Sequence, residues 1–71
     1  MPTTINLDIS SRPKRRRAVS LIINQLSRIR DHEESYRDRI PDNLAGGDAA
    51  AAADDSIDLV SDAIIALQDA Y

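Results

Sequence analysis

Between residues 19 and 40 the apolar positions Val19, Ile22, Leu26, Ile29, Tyr36 and Ile40 step by three and four, with Glu33 in the one polar slot. That is the a/d spacing of a helix whose seam faces a partner. Ser10 and Ser11 offer N-caps and Pro13 suits a first turn, while Pro41 disfavours helix at the residue before it. The pattern predicts a first helix over 12–40, roughly 40 Å long at 1.5 Å per residue. The same stepping returns in Ala53, Ile57, Val60, Ile64, Leu67 and Tyr71 and predicts a second helix over 48–71. Pro41, Asp42, Asn43 and the Gly46-Gly47 pair punctuate a loop at 41–47, with Asp48 placed to cap the second helix.

Ahead of the helices the period changes. Ile5, Leu7 and Ile9 alternate with Thr4, Asn6, Asp8 and Ser10, the spacing of a half-buried strand. One strand is not stable alone in water. Residues 1–11 therefore read as an extended arm that pairs with its counterpart, adds to a partner's sheet as a partner strand, or lies over the helices. A frayed tail is the plain alternative.

Two helices joined by a short Pro/Gly loop form an antiparallel hairpin. Each is apolar over more of its perimeter than one neighbour covers: Leu21 and Ile23 widen the first seam, and Leu59, Ala63, Ile65, Ala66 and Ala70 flank the second. A second copy related by a twofold axis is the simplest cover. The expected fold is all-α, an antiparallel two-helix hairpin dimerising into a four-helix bundle.

Composition points the same way. A 71-residue chain is one domain, and a core of that size rarely yields more than about 3–5 kcal/mol. There is no cysteine and a single histidine, which removes disulfides and thiolate or histidine-rich metal sites and leaves a partner chain as the remaining support. No apolar run approaches the roughly 20 residues of a membrane span, and no apolar signal segment follows Met1, so the chain is expected to be soluble and intracellular. Charge is divided along the chain. Residues 1–41 hold nine Lys/Arg and five Asp/Glu, a balance of +4, whereas residues 42–71 hold seven Asp/Glu and no Lys or Arg, a balance of −7. Halves of opposite sign favour packing basic helix beside acidic helix.

The strongest local oddity is Arg12, Lys14, Arg15, Arg16 and Arg17 at a helix start, where cations oppose the macrodipole. Phosphate contact, with nucleic acid or an anionic surface, is one reading; charge balance against the acidic helix and plain solubility are the others. No aromatic residues interleave with the cluster to stack bases, and a strand followed by two helices does not make a ribbon-helix-helix reader here, because the first helix runs unbroken. His32-Glu33-Glu34 lacks the second histidine of a zinc-protease motif, and Glu33 reads as a register device paired with Arg37 or with a neighbouring chain. No nucleophile–base pair and no phosphate-binding glycine loop is present, so neither an enzyme nor a cofactor site is expected.

The segment from Arg30 to Leu44 resembles a class of small acidic helical-hairpin proteins of bacteriophages and other mobile elements. Glu33, Glu34, Tyr36, Asp38, Ile40, Pro41, Asn43 and Leu44 fall on that class's pattern, as does the run containing Ile57, Asp58, Ala63 and Ile64. Arg39 and Asp42 depart from it, as does the Gly-Gly-Asp-Ala-Ala after the loop, and the arm lies outside it. The resemblance implies the hairpin, a mobile-element origin and hence a bacterial cytoplasm, with Tyr36, Ile40 and Leu44 clamping the loop while Asp42 and Asn43 bond its amides. It supplies no catalytic residues. The expected function is that of a homodimeric interaction protein binding a host or phage protein; the alternatives are a nucleic-acid accessory acting through the basic segment and a virion assembly component.

Overall fold

The computed structural model describes residues 7–71. Ser11 sits in extended backbone and its hydroxyl accepts the backbone N–H of Lys14 at 3.4 Å, capping the first helix, α1, which runs Arg12–Asp38 with Pro13 in its first turn. Of the alternating segment, Ile5 lies outside the described residues, and Leu7 and Ile9 belong to no strand. The reason is local. The Asp8 carboxylate accepts the backbone N–H and the hydroxyl of Ser10, at 3.0 and 2.7 Å, and pairs with the Lys14 ammonium at 2.9 Å. This side-chain-closed turn competes with strand geometry at the residues that carried the alternation.

The helix α1 ends two residues before the expected boundary, at a cap on Arg39, because the residue before Pro41 is held out of the helical region. A single 3₁₀ turn, Asp42–Leu44, follows. It is tied by main-chain bonds rather than by the Asp42 and Asn43 side chains: Leu44 N–H to Pro41 O at 2.8 Å, Ala45 N–H to Asp42 O at 3.2 Å and Gly47 N–H to Leu44 O at 2.9 Å. The second helix, α2, spans Asp48–Ala70. Its cap is Gly47, without a side-chain bond, and Asp48 is the first helical residue, where its charge still favours the positive end of the dipole.

Two contacts fix the antiparallel register. The Arg12 guanidinium lies 5.0 Å from the centre of the Tyr71 ring at the open end. Arg37 Nε donates to Asp54 Oδ1 at 2.9 Å near the loop. Between them the α2 thread is as the spacing predicts: Ala53 and Ile64 are buried, and Ile57, Val60 and Leu67 half-buried, with Ala50 joining them.

On α1 the inner thread is Val19, Ile23, Leu26, Arg30, Glu33, Arg37 and Ile40, all half-buried. It shares Val19, Leu26, Glu33 and Ile40 with the predicted seam, but Ile23, Arg30 and Arg37 replace Ile22, Ile29 and Tyr36 on the side facing α2. Arg30 and Arg37 keep half-buried stems in the groove, and the charged end of Arg37 reaches Asp54 at the rim. Arg37 accordingly pairs across the hairpin with Asp54, not along its own helix with Glu33.

Only Ala18, Ala50, Ala53 and Ile64 are buried among the described residues, and no large side chain is fully enclosed. The chain is one helix layer thick, 14 Å along its shortest axis.

Candidate interaction surface

Side chains on a helix turn by about 100° per residue, so the inner threads determine where everything else points. On α1, Ile22, Ile29 and Tyr36 follow one another at intervals of seven, one step round from the inner thread. On α2, Ser56, Ala63 and Ala70 follow one another in the same way, with Ala52, Leu59 and Ala66 further round on the same flank. Because the helices run antiparallel, these two stripes emerge on the same broad face of the hairpin. Tyr36 and Ala49, one from each stripe's side, accordingly line one shallow depression with Ile40 and Leu44 at the loop end.

At the open end of that face, Leu7, Leu21, Ile22, Gln25 and Leu26 line a second depression, strongly apolar in character. Leu7 and Ala18 line a neighbouring depression together, and Ala18 is buried although it lies off the inner thread. Ile22, Ile29, Tyr36 and Leu59 are all exposed, Leu59 most of all at 68%.

The opposite broad face is polar: Ser20, Ser27, Asp31, Glu34 and Asp38 on α1, and Asp54, Asp58 and Ser61 on α2, with Ile65 the one large apolar side chain that the two helices place there. The two outer edges differ in sign. The α1 edge carries Arg17 and Arg28, and the α2 edge carries Asp55, Asp62 and Asp69. None of these five enters an ion pair among the described residues, where Arg37–Asp54 is the one bridge between the helices.

The five-residue basic segment does not gather into one patch. Arg12 stacks on Tyr71, Lys14 is held by Asp8, and Arg15 donates to the Ile9 carbonyl at 3.1 Å, leaving Arg16 and Arg17 without such contacts among the described residues. Within about one and a half turns these side chains point all round the helix. The Lys14 ammonium, reinforced by the Ser10 N–H and hydroxyl, holds the Asp8 carboxyl below its ordinary pKa. This places a carboxylate beside a first turn that contains no acidic residue of its own.

His32 is exposed and Glu33 half-buried, and no group of three or more His, Cys, Asp or Glu among the described residues is placed to hold a metal ion. No helix among the described residues is long and apolar enough to cross a membrane.

What the seam spacing left unread is the placing of the two apolar stripes on one face. The signal was present in the seven-residue intervals of Ile22, Ile29 and Tyr36 and of Ser56, Ala63 and Ala70, once both helices are drawn antiparallel. Comparison with protein-family models, with curated proteins and with solved structures gives no match.

Proposed function

We propose that this chain is a non-enzymatic interaction protein that self-associates through its apolar face into a four-helix bundle and acts by binding another protein. The observation that carries this reading is the exposure of Ile22, Ile29, Tyr36 and Leu59 on one broad face of a hairpin with almost no interior. Grouped apolar surface of this kind marks an interaction site, whereas scattered apolar residues do not. The face is about 35 Å long by 20 Å wide, taking α2's length at 1.5 Å per residue and two helix widths. That footprint, about 700 Å² on each partner, is close to the roughly 800 Å² per side of a stable interface.

Resemblance of the Arg30 to Leu44 segment to small hairpin proteins of phages and mobile elements supports a mobile-element origin, with a host or phage protein as the ultimate partner. In such a bundle the basic collar remains outside and is offered to that protein, while Leu7 of the arm lies at the open end of the covered face. A nucleic-acid accessory role rests on Arg16 and Arg17, the two collar residues not drawn into local contacts. Its support is weaker because the collar is divided around the helix and the acidic α2 repels a phosphate backbone.

Sedimentation equilibrium tests self-association: a dimer of 7.8 kDa chains is expected, and a folded monomer at micromolar concentration refutes it. Binding to duplex DNA and to RNA at low salt, lost in the Arg16→Ala/Arg17→Ala variant, would support the nucleic-acid role instead.

A further inference from the structure

We infer that the second copy packs with its twofold axis parallel to the helices, so that α1 of each chain lies over α2 of the other and both loops emerge at the same end. This rests on the proposed self-association and specifies its geometry. Two flat hairpins stacked face to face have two simple symmetric arrangements. With the axis along the helices, basic α1 stacks on acidic α2 of the second copy. With the axis in the same plane but across the helices, α1 stacks on α1, α2 stacks on α2, and the loops lie at opposite ends.

Two independent features select the first. One is size. The α1 stripe is made of the large Ile22, Ile29 and Tyr36, and the α2 stripe of the small Ala52, Ser56, Ala63, Ala66 and Ala70, with Leu59 its one large member. Large on small interdigitates; large on large holds the helices apart and leaves the alanines facing one another across a gap. The register set by Arg12–Tyr71 and Arg37–Asp54 makes the levels agree. Ile22 comes opposite the Ala63–Ala66 stretch of the second copy, Ile29 opposite Ser56 and Leu59, and Tyr36 opposite Ala52.

The other is charge. Stacking along the axis brings the α1 outer edge of one copy beside the α2 outer edge of the other. Arg17 then stands about level with Asp69, and Arg28 near Asp62. In the crossed arrangement the same acidic residues face their own copies and the arginines face arginines, which is the repulsive case. The helices themselves are of opposite sign, α1 with eight Lys/Arg against four Asp/Glu and α2 with six Asp and no basic residue.

The chain has no cysteine, so Asn43→Cys in the loop gives a single attachment point for a nitroxide label. Pulsed electron–electron spin resonance on the full chain is expected to return an inter-label distance below about 25 Å, given roughly 10 Å between stacked helices. A longer distance, approaching the helix length of about 35 Å, overturns the arrangement while leaving the dimer in place. A monomeric mass for the labelled and unlabelled chains alike overturns the self-association itself, so the two failures are distinguishable. Charge reversal is the second arm. Arg17→Glu/Arg28→Glu is expected to weaken the dimer roughly tenfold, an effect of the size expected for a few exposed pairs. Adding Asp62→Arg/Asp69→Arg to the same chain should restore the dimer, and failure of this rescue contradicts the pairing.

Discussion

Ile29 and Ile65 are exposed to almost the same degree, 56% and 58%, and stand on opposite faces of one thin hairpin. Ile29 has Ile22 and Tyr36 a helical repeat away on either side and the alanine stripe of α2 across the groove. Ile65 has Asp54, Asp58, Ser61 and Glu34 sharing its face. Exposure of a single side chain is therefore uninformative here, and what distinguishes the faces is company. An isolated aliphatic among carboxylates costs little and gains little from a partner, whereas a continuous row, taken from water as a unit, contributes roughly 25 cal/mol for each Å² covered. That difference is what the proposed association through the apolar face draws on.

The seam that holds the two faces together should show the largest effect. Among the described residues Ile64 is the one large side chain that is nearly enclosed, and Ile64→Ala is expected to cost about 2–5 kcal/mol. That is comparable to the whole yield of a core this small, so circular dichroism should show loss of most helicity at room temperature. Retained helicity with an unchanged melting temperature would mean that the hairpin owes little to this seam.

Next come the faces themselves. Ile29→Glu should weaken association by at least about a hundredfold, since it places one carboxylate per chain in the covered surface. Ile65→Glu should leave the sedimenting mass unchanged. Because the free hairpin has little core, the parent's melting temperature should rise with protein concentration and that of Ile29→Glu should not. Equal effects of the two substitutions would erase the distinction between the faces.

Much of this was legible in the spacing of apolar residues. The two helices, the loop and the whole α2 seam from Ala53 to Leu67 follow from steps of three and four. The α1 seam did not, because the same stepping threads two adjacent lines through Val19, Leu26 and Glu33, one through Ile22, Ile29 and Tyr36 and the other through Ile23, Arg30 and Arg37. Apolarity favours the first, but the fold turns the second toward α2, where Asp54 holds the head of Arg37. The arm is a different case: its period runs through Ile5, outside the described residues, and Leu7 and Ile9, which form no strand there, while Asp8 between them binds Ser10 and Lys14.

The Arg37–Asp54 bond sharpens the contrast between the two α1 lines at a smaller scale. As an exposed pair in good geometry it should contribute about 0.2–1 kcal/mol, read as a coupling energy from thermal melts of Arg37→Ala, Asp54→Ala and the double variant. A coupling near zero would mean that the stem of Arg37, and not its charge, selects the inner thread.

The smallest effect belongs to Asp8, at the edge of the apolar face where the arm turns into α1. Lys14 and the two Ser10 donors hold its carboxyl below the ordinary value of 3.8. A depressed native pKa means that the ionised contact stabilises the fold fully above that ordinary value and is lost as the pH falls through the native one. The turn should therefore be indifferent to pH between neutrality and about pH 5 and loosen only in stronger acid. Nuclear magnetic resonance titration of the Asp8 carboxyl should give a midpoint under 3.8, moving back toward it in Lys14→Ala. Asp8→Asn should leave the sedimenting mass untouched while releasing Leu7 from beside Ala18, seen as a chemical-shift change at the Ala18 methyl. If Ala18 is unmoved, the arm is seated by the apolar contact of Leu7 alone, and the carboxylate serves only the helix start.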